Sequence, residues 1–269
     1  MIDQATYRGI TLDGDSALAL LDWQLEMGCD VPMLDAPVDR FDLPTRVVSA
    51  APAPQAPPPP ADDDDLAARV ALAQALADGA GTLAALAEAQ QGFDGIELKK
   101  GARNFCFADG NARARVMILS GAPDDEEDRQ GRPFVGRAGQ MLDRMFGAIG
   151  LTRDAVDAER AFYVANALTW CPPGGRDPDP DELAVSLPFL RRHIALAAPE
   201  VIVLMGNVPC LAGLERSGIL RLRGQWGQAF GRPALPMTHP SYLLRNPAAK
   251  REAWADLLSL QARLESLSV

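Results

Sequence analysis

Short apolar runs alternate with stretches of helical periodicity from Leu66 to the end of the chain. Apolar runs of five or six residues predict strands at 115–120, 161–166, 201–205 and just before Met237. Apolar residues at helical spacing predict helices near 65–78, 82–91, 141–146, 180–197, 208–214 and 247–264. This alternation is typical of a mostly parallel sheet covered by helices on both faces. We therefore expect residues 66–269 to form a three-layer α/β/α sandwich around a central, mostly parallel four-stranded sheet.

The first 65 residues have a different pattern. Leu18, Leu21 and Leu25 recur at helical spacing and predict one short helix within an acidic extension at 1–45. Residues 46–65 are rich in proline and alanine and end in four aspartates. Because proline fixes φ and has no N–H to donate, we expect this stretch to be a disordered, extended linker. The aspartates are most simply a solubilising end to that linker, and the less favoured alternative is a docking site for a protein partner.

Charge and cysteine content narrow the possible classes of function. The chain has a net charge of −10, which by itself argues against DNA binding. However, residues 1–65 contain 13 acidic and three basic residues, whereas residues 66–269 contain 23 of each, so the domain itself is not excluded from binding DNA. Four cysteines without a C-x-x-C pair are typical of reduced thiols in a cytoplasmic protein. No 20-residue apolar run or signal-peptide pattern is present, so we expect neither a membrane span nor secretion.

Three unusual loops follow predicted strands. They read SGAPDDEEDRQGRPFVG (120–136), NALTWCPPGGR (166–176) and THPSYLLR (238–245). Taken singly, each loop is explained equally well without a function: the first as a polar loop, the second as a Pro-Gly turn and the third as a helix entry. The carboxyl ends of parallel strands meet at one edge of a sheet, where ligands bind. The three loops together therefore predict a functional site at that edge.

These loops resemble the motifs of the uracil-DNA glycosylase superfamily, specifically family 4. The family's first motif reads roughly G-E-A-P-G-x-x-E-D-x-x-G-x-P-F-V-G-x-x-G, and residues 120–139 share most of it from Ala122 to Gly139. The last motif, H-P-S-x-L-L-R, matches residues 239–245 throughout. The resemblance covers residues 93–262 and implies a DNA repair enzyme that flips deoxyuridine out of DNA and hydrolyses its N-glycosidic bond.

The resemblance also implies roles for individual residues. Phe134 stacks on the flipped uracil, Asn166 reads the uracil edge through its amide, and His239 stabilises the departing uracil anion. We also expect two further sets of contacts. Uracil is contacted by Gly121, Ala122 and Pro123, and DNA phosphates are contacted by Pro240, Ser241, Arg245, Lys99 and Arg132. We expect a monomer that acts on DNA containing uracil or a related lesion.

The first motif departs from the family at the position that handles water. The family has a glutamate where this chain has Gly121, and that glutamate places or activates the attacking water. Asp124 replaces a family glycine and is our candidate substitute. Losing a general base typically slows a reaction by about 10²–10⁴-fold. Two functions therefore stay open: a glycosylase with weakened water activation, and an inactive relative that binds DNA or a protein partner.

The second departure concerns a cofactor. Family 4 members usually hold a 4Fe-4S cluster through four cysteines, and the aligned positions here are Phe93, Ile96, Trp170 and Ser186. Because such clusters need thiolate ligands, we expect no cluster and no metal, with apolar side chains filling the space. Elsewhere, we expect His193 to be a surface or half-buried helical residue and the loop at Arg223 to be a further candidate for facing DNA.

Overall fold

The computed structural model describes residues 63–267, together with Thr6–Tyr7, Ile10–Thr11 and Leu18. The chain divides into two compact units, residues 1–58 and 59–269. In the first unit, β1 (Thr6–Tyr7) pairs antiparallel with β2 (Ile10–Thr11). The predicted N-terminal helix and the linker at 46–65 lie almost wholly outside the described residues, so these boundaries stay predictions.

The second unit is built on one six-stranded sheet in the order β3-β5-β4-β6-β8-β7. Its strands are β3 (Ala108–Gly110), β4 (Val116–Ser120), β5 (Phe162–Asn166), β6 (Val201–Met205), β7 (Gly227–Ala229) and β8 (Arg232–Met237). The four central strands are parallel, and the edge strands β3 and β7 are antiparallel to their neighbours. The predicted α/β class is confirmed, and the sheet is wider than the four strands expected. The two extra strands have three residues each, too few to show an alternating pattern.

Helices and buried side chains form a layer on each face of the sheet. The helices are α1 (Asp63–Gly79), α2 (Leu83–Gly92), α3 (Asp125–Gln130), α4 (Gly136–Gly147), α5 (Pro180–Ala197), α6 (Asn207–Leu214), α7 (Ile219–Leu222), α8 (Pro240–Arg245) and α9 (Lys250–Leu267). Successive residues of β4 point to opposite faces, so Met117 and Leu119 join one apolar core while Val116 and Ile118 join the other. None of the helices described within residues 63–267 is long and apolar enough to span a bilayer.

The expectation for His193 was wrong. This residue lies on α5 and is 3% exposed. Its Nε2 lies 2.9 Å from the Tyr163 hydroxyl of β5, and its ring stacks on Phe107 with centroids 4.3 Å apart. Burial lowers the pKa of His193 to about 4, so the ring is neutral at neutral pH. A partner from a distant strand, which the helical pattern does not reveal, draws the ring inward.

Candidate active site

The loops that follow β4, β5, β6 and β8 meet at one edge of the sheet. Ser120 at the end of β4 lies in register with Asn166 at the end of β5, and Met205 of β6 with Met237 of β8. A cavity of about 270 Å³ opens among these loops. Its lining includes Gly121, Ala122, Pro123, Asp124, Val208, His239 and Ser241. Parallel strand direction therefore brings together segments that are more than 100 residues apart in the chain.

Phe134 is held in an unusual backbone conformation at this edge. Its φ of 51° lies in the left-handed region, which is rare for a bulky residue, and its side chain is 1% exposed. Its N–H donates to Glu127 Oε1 at 2.6 Å, and its carbonyl accepts from Arg153 Nη2 at 3.0 Å. A Cβ on Gly139 would lie 1.9 Å from that carbonyl oxygen, so only glycine fits there. The sequence pointed to Phe134 but not to Arg153, which lies outside the motifs.

Asn166 ends β5 and is 2% exposed. Its Nδ2 donates to Glu127 Oε2 at 3.2 Å, while its Oδ1 is buried without a hydrogen-bond partner in the described part of the chain. An unpaired buried acceptor is costly unless a ligand supplies the missing donor. Oδ1 therefore keeps its capacity to accept a hydrogen bond, but Asn166 is not among the residues that line the cavity of about 270 Å³.

His239 precedes α8 and stacks against Phe134, with ring centroids 5.2 Å apart and planes 26° apart. Its Nδ1 accepts from the Ser241 backbone N–H at 3.2 Å and lies 2.7 Å from the Ser241 hydroxyl. Burial lowers the pKa of His239 to about 4, with opposing effects from the charges of Asp124 and Arg245. At neutral pH the ring is therefore neutral, and because Nδ1 accepts, the proton resides on Nε2. Sequence reasoning placed Ser241 near phosphate and missed that it sets this tautomer.

Asp124 caps the N-terminus of α3. Its Oδ1 accepts from the N–H groups of Glu126 and Glu127, both at 2.9 Å, in a capping box with Glu127. Its side chain is exposed and lines the cavity, and Oδ2 makes no hydrogen bond within residues 63–267. Its negative charge raises the pKa of both Glu127 and His239, which indicates that it lies close to both.

Gly121 lies where a carboxylate is missing from the first motif. A Cβ at this position would lie 3.1 Å from Val208 Cβ and 3.3 Å from Val208 Cγ2. Val208 is in the first turn of α6 and lines the cavity. The side chain of Val208 thus occupies space that a larger residue at 121 needs, a relationship that the sequence did not reveal.

The candidate phosphate contacts fall into two groups. Pro240 and Ser241 begin α8 directly after His239, and the exposed Arg245 ends this helix. Of these, Ser241 lines the cavity of about 270 Å³, whereas the other four candidates are not among its lining residues. Lys99 is ion-paired with Asp94 at 2.6 Å, and Arg132 lines a second cavity of about 390 Å³ together with Phe134.

Arg223 was a further candidate for facing DNA, and the structure points it elsewhere. Its Nε donates to Asp256 Oδ2 at 3.0 Å, and a second nitrogen donates to the Glu252 carbonyl. The side chain of Asp256 is 3% exposed. Arg223 therefore forms an ion pair with the buried Asp256, which links the α7–β7 loop to α9.

The four positions aligned with cluster cysteines offer no ligand suited to iron and sulfide. Phe93, Ile96, Trp170 and Ser186 are all at most 6% exposed. Phe93 packs on Phe189 with ring centroids 5.5 Å apart. No group of three or more potential ligands for a metal occurs in the part of the chain that is described. The residues present therefore do not fit a 4Fe-4S cluster.

The cysteines in the described part of the chain do not replace the missing cluster ligands. Cys106 and Cys171 are buried, and burial raises the pKa of their thiols to about 12 and about 11. The Cys106 thiol donates to the Glu127 carbonyl at 3.2 Å. With Cys210 the described residues hold three cysteines, one fewer than the four thiolates that such a cluster needs.

Comparison with known proteins agrees with this geometry. A family model described as the uracil DNA glycosylase superfamily matches residues 107–258. A type-4 uracil-DNA glycosylase of Thermotoga maritima is 35% identical over 148 residues, which cover 53% of this chain and 73% of that protein. Proteins of the same name from Archaeoglobus fulgidus (32% over 171 residues, 60% and 82% covered) and Saccharolobus solfataricus (30% over 180 residues, 63% and 81%) are similar. The motifs, the sheet-edge cavity and these relatives together show that the chain belongs to the uracil DNA glycosylase superfamily and, within it, to the type 4 family.

Proposed function

We propose that this protein is a DNA repair glycosylase that removes uracil from DNA by hydrolysing the N-glycosidic bond of deoxyuridine. The observation that carries the proposal is the neutral His239, which has its proton on Nε2 and whose ring stacks on Phe134 at the same sheet edge as Asn166. The similarity to type-4 uracil-DNA glycosylases supports uracil as the base. That similarity favours an active enzyme over an inactive DNA-binding or partner-binding relative.

Leaving-group stabilisation is assigned to His239. As the glycosidic bond breaks, negative charge grows on the uracil O2, and the Nε2–H of the neutral ring donates to it. The Ser241 N–H holds Nδ1 as an acceptor, so the donor is already oriented before the reaction starts. A single preorganised donor of this kind typically contributes about 10²–10³-fold to the rate.

Water activation is assigned to Asp124. Its Oδ1 is committed to the α3 cap, which holds the carboxylate still, and Oδ2 is left to accept from a water. The conservative variant Asp124→Asn keeps an effective N-cap but removes the charge. We expect this variant to fold normally and to excise uracil at least about 10²-fold more slowly.

The proposal extends to DNA contacts and cellular setting. Arg245 is exposed at the end of α8, where it can meet a phosphate beside the flipped nucleotide, with Ser241 and Pro240 one turn earlier. We further propose a monomer that works without an iron–sulfur cluster in the cytoplasm, with the acidic residues 1–65 available to a protein partner. Purified protein with stoichiometric iron and sulfide and a broad visible absorbance band would contradict the cluster-free state.

The test measures excision from single- and double-stranded oligonucleotides that contain one deoxyuridine, with alkali cleavage of the abasic product. We expect His239→Ala and Asn166→Ala to reduce single-turnover rates by about 10²-fold or more. His193→Gln changes the only other histidine of the chain and is expected to keep the rate at temperatures below its melting point. Tight binding without cleavage by the unmodified protein would refute the proposed activity.

A further inference from the structure

Glu127 is a buried carboxylate that the proposed mechanism does not use directly. It is 5% exposed and accepts hydrogen bonds from three N–H donors. Oε1 accepts from Phe134 N at 2.6 Å, and Oε2 accepts from Asn166 Nδ2 at 3.2 Å and Asp124 N at 3.3 Å. The capping box explains the contact with Asp124 but not the two others, which reach the stacking ring and the base-reading amide.

Above pH about 7, the raised pKa of Glu127, its carboxylate is ionised and can only accept hydrogen bonds, so it distinguishes the two ends of the Asn166 amide. The end that faces Glu127 must be the NH₂ group, which leaves Oδ1 on the opposite side. Oδ1 is the buried atom without a partner in the described residues. The orientation of this amide is therefore determined by Glu127 and not by the backbone of β5.

Amide orientation decides which base fits. Uracil has a donor at N3–H next to an acceptor at O4, whereas cytosine has an acceptor at N3 next to an amino donor. An amide with Oδ1 toward the base accepts from uracil N3–H and donates to O4. With cytosine, the same amide places an acceptor against an acceptor and a donor against a donor. A site built on hydrogen bonds rejects a base that cannot pair with it by up to about 10⁴–10⁵-fold.

We propose that Glu127 is a positioning residue that sets the specificity of the site: it holds the Asn166 amide in the orientation that accepts uracil and rejects cytosine. The inference rests on the proposed function for the identity of the base. The same carboxylate also holds the Phe134 N–H, so the amide and the stacking ring are positioned by one group.

The test compares the binding of two single-stranded oligonucleotides that resist cleavage, one containing 2′-fluoro-2′-deoxyuridine and one 2′-fluoro-2′-deoxycytidine. The unmodified protein is expected to prefer the uracil oligonucleotide. Glu127→Gln is nearly isosteric. When its oxygen accepts from Phe134 N, its NH₂ group faces Asn166, and we expect the Asn166 amide to rotate by about 180° so that Oδ1 accepts from that group. We expect the ratio of the two dissociation constants to shift toward cytosine by at least about 10-fold.

Two variants separate positioning from simple structural damage. Glu126→Gln changes the preceding residue, whose carboxylate binds Arg129 and Gln130 on the surface, and it should keep the ratio. Glu127→Asp keeps a carboxylate, and it should keep the preference for uracil even where affinity falls. This variant also carries the test if Glu127→Gln does not fold.

Several outcomes would overturn the inference. One is a Glu127→Gln protein that loses affinity for both oligonucleotides equally, since general damage to the site affects both. Another is a Glu127→Asp protein that prefers cytosine. An unmodified protein that binds both oligonucleotides equally would also refute it, even if that protein excises uracil. Conversely, a protein that prefers uracil but does not cleave would refute the proposed activity and leave the role of Glu127 supported.

Discussion

Restoring a carboxylate at position 121 tests how far water activation limits this protein. Gly121 follows β4 and lines the cavity, and its φ lies outside the left-handed region, so the backbone accepts a side chain. The obstacle is Val208, whose Cβ and Cγ2 would lie 3.1 and 3.3 Å from the new Cβ. Contacts this short require a shift of a few tenths of an ångström, and overpacking of this kind costs about 1–3 kcal/mol.

We expect Gly121→Glu to lower the melting temperature by several degrees, since about 1 kcal/mol corresponds to about 2–4 °C for a domain of this size. Adding Val208→Ala removes the Cγ2 contact and should recover part of that loss. In an Asp124→Asn background, which lacks the proposed general base, adding both changes should raise the single-turnover rate of uracil excision by about 10²-fold or more, because a general base contributes about 10²–10⁴-fold.

The matched control is Gly121→Gln with the same Val208→Ala change. Glutamine has nearly the same size and the same contacts but cannot accept a proton from water. In the same Asp124→Asn background its melting temperature should match that of the glutamate variant, while its rate stays close to that of Asp124→Asn alone. Equal rates for the two variants would refute the argument from general-base catalysis.

Three further predictions concern stability. Gly139→Ala places a Cβ 1.9 Å from the Phe134 carbonyl oxygen, and we expect a loss of about 3 kcal/mol or more in urea unfolding; a loss below about 1 kcal/mol would contradict the close approach. Burial, together with the charge of Asp124, raises the pKa of Glu127 from 4.5 to about 7. The ionised form is thus penalised in the folded state, so this group's stabilising contribution is present below about pH 4.5 and is lost as the pH rises through about 7, by about 3 kcal/mol in total. Glu127→Gln should flatten the dependence of unfolding free energy on pH between about 4.5 and 7, and an unchanged slope would refute this assignment. Removing the guanidinium with Arg223→Met leaves the 2% exposed Asp256 unpaired and should cost about 3–5 kcal/mol; a second change, Asp256→Leu, should recover most of that loss, and a double-mutant cycle with no coupling would count against a buried pair.

The chain pattern predicted those parts of the fold that depend on local repetition. Strands β4, β5 and β6 are buried along their whole length because both faces of the sheet are covered, and each was predicted to within one residue of its observed bounds. For β8 the pattern predicted only its position before Met237. The edge strands β3 and β7 were missed because Ala-Asp-Gly and Gly-Gln-Ala have no strand pattern. Their pairing is decided by the neighbouring strands, which lie tens of residues away or across a tight turn.

The sequence by itself determined the α/β class, the loops that meet at the sheet edge and the absence of cysteines from the aligned cluster positions. These properties follow from local periodicity and from residue identity at fixed spacing. Only the tertiary structure decided that Glu127 joins the cap of α3, the Phe134 backbone and the Asn166 amide. The position of the proton on His239 depends on the hydrogen bond from the Ser241 N–H, in the first turn of α8, to Nδ1. The direction of the Arg223 side chain depends on its ion pair with Asp256 in the distant helix α9. Hydrogen bonds and ion pairs act over about 3 Å, so their partners are known only once packing has brought separate segments of the chain together.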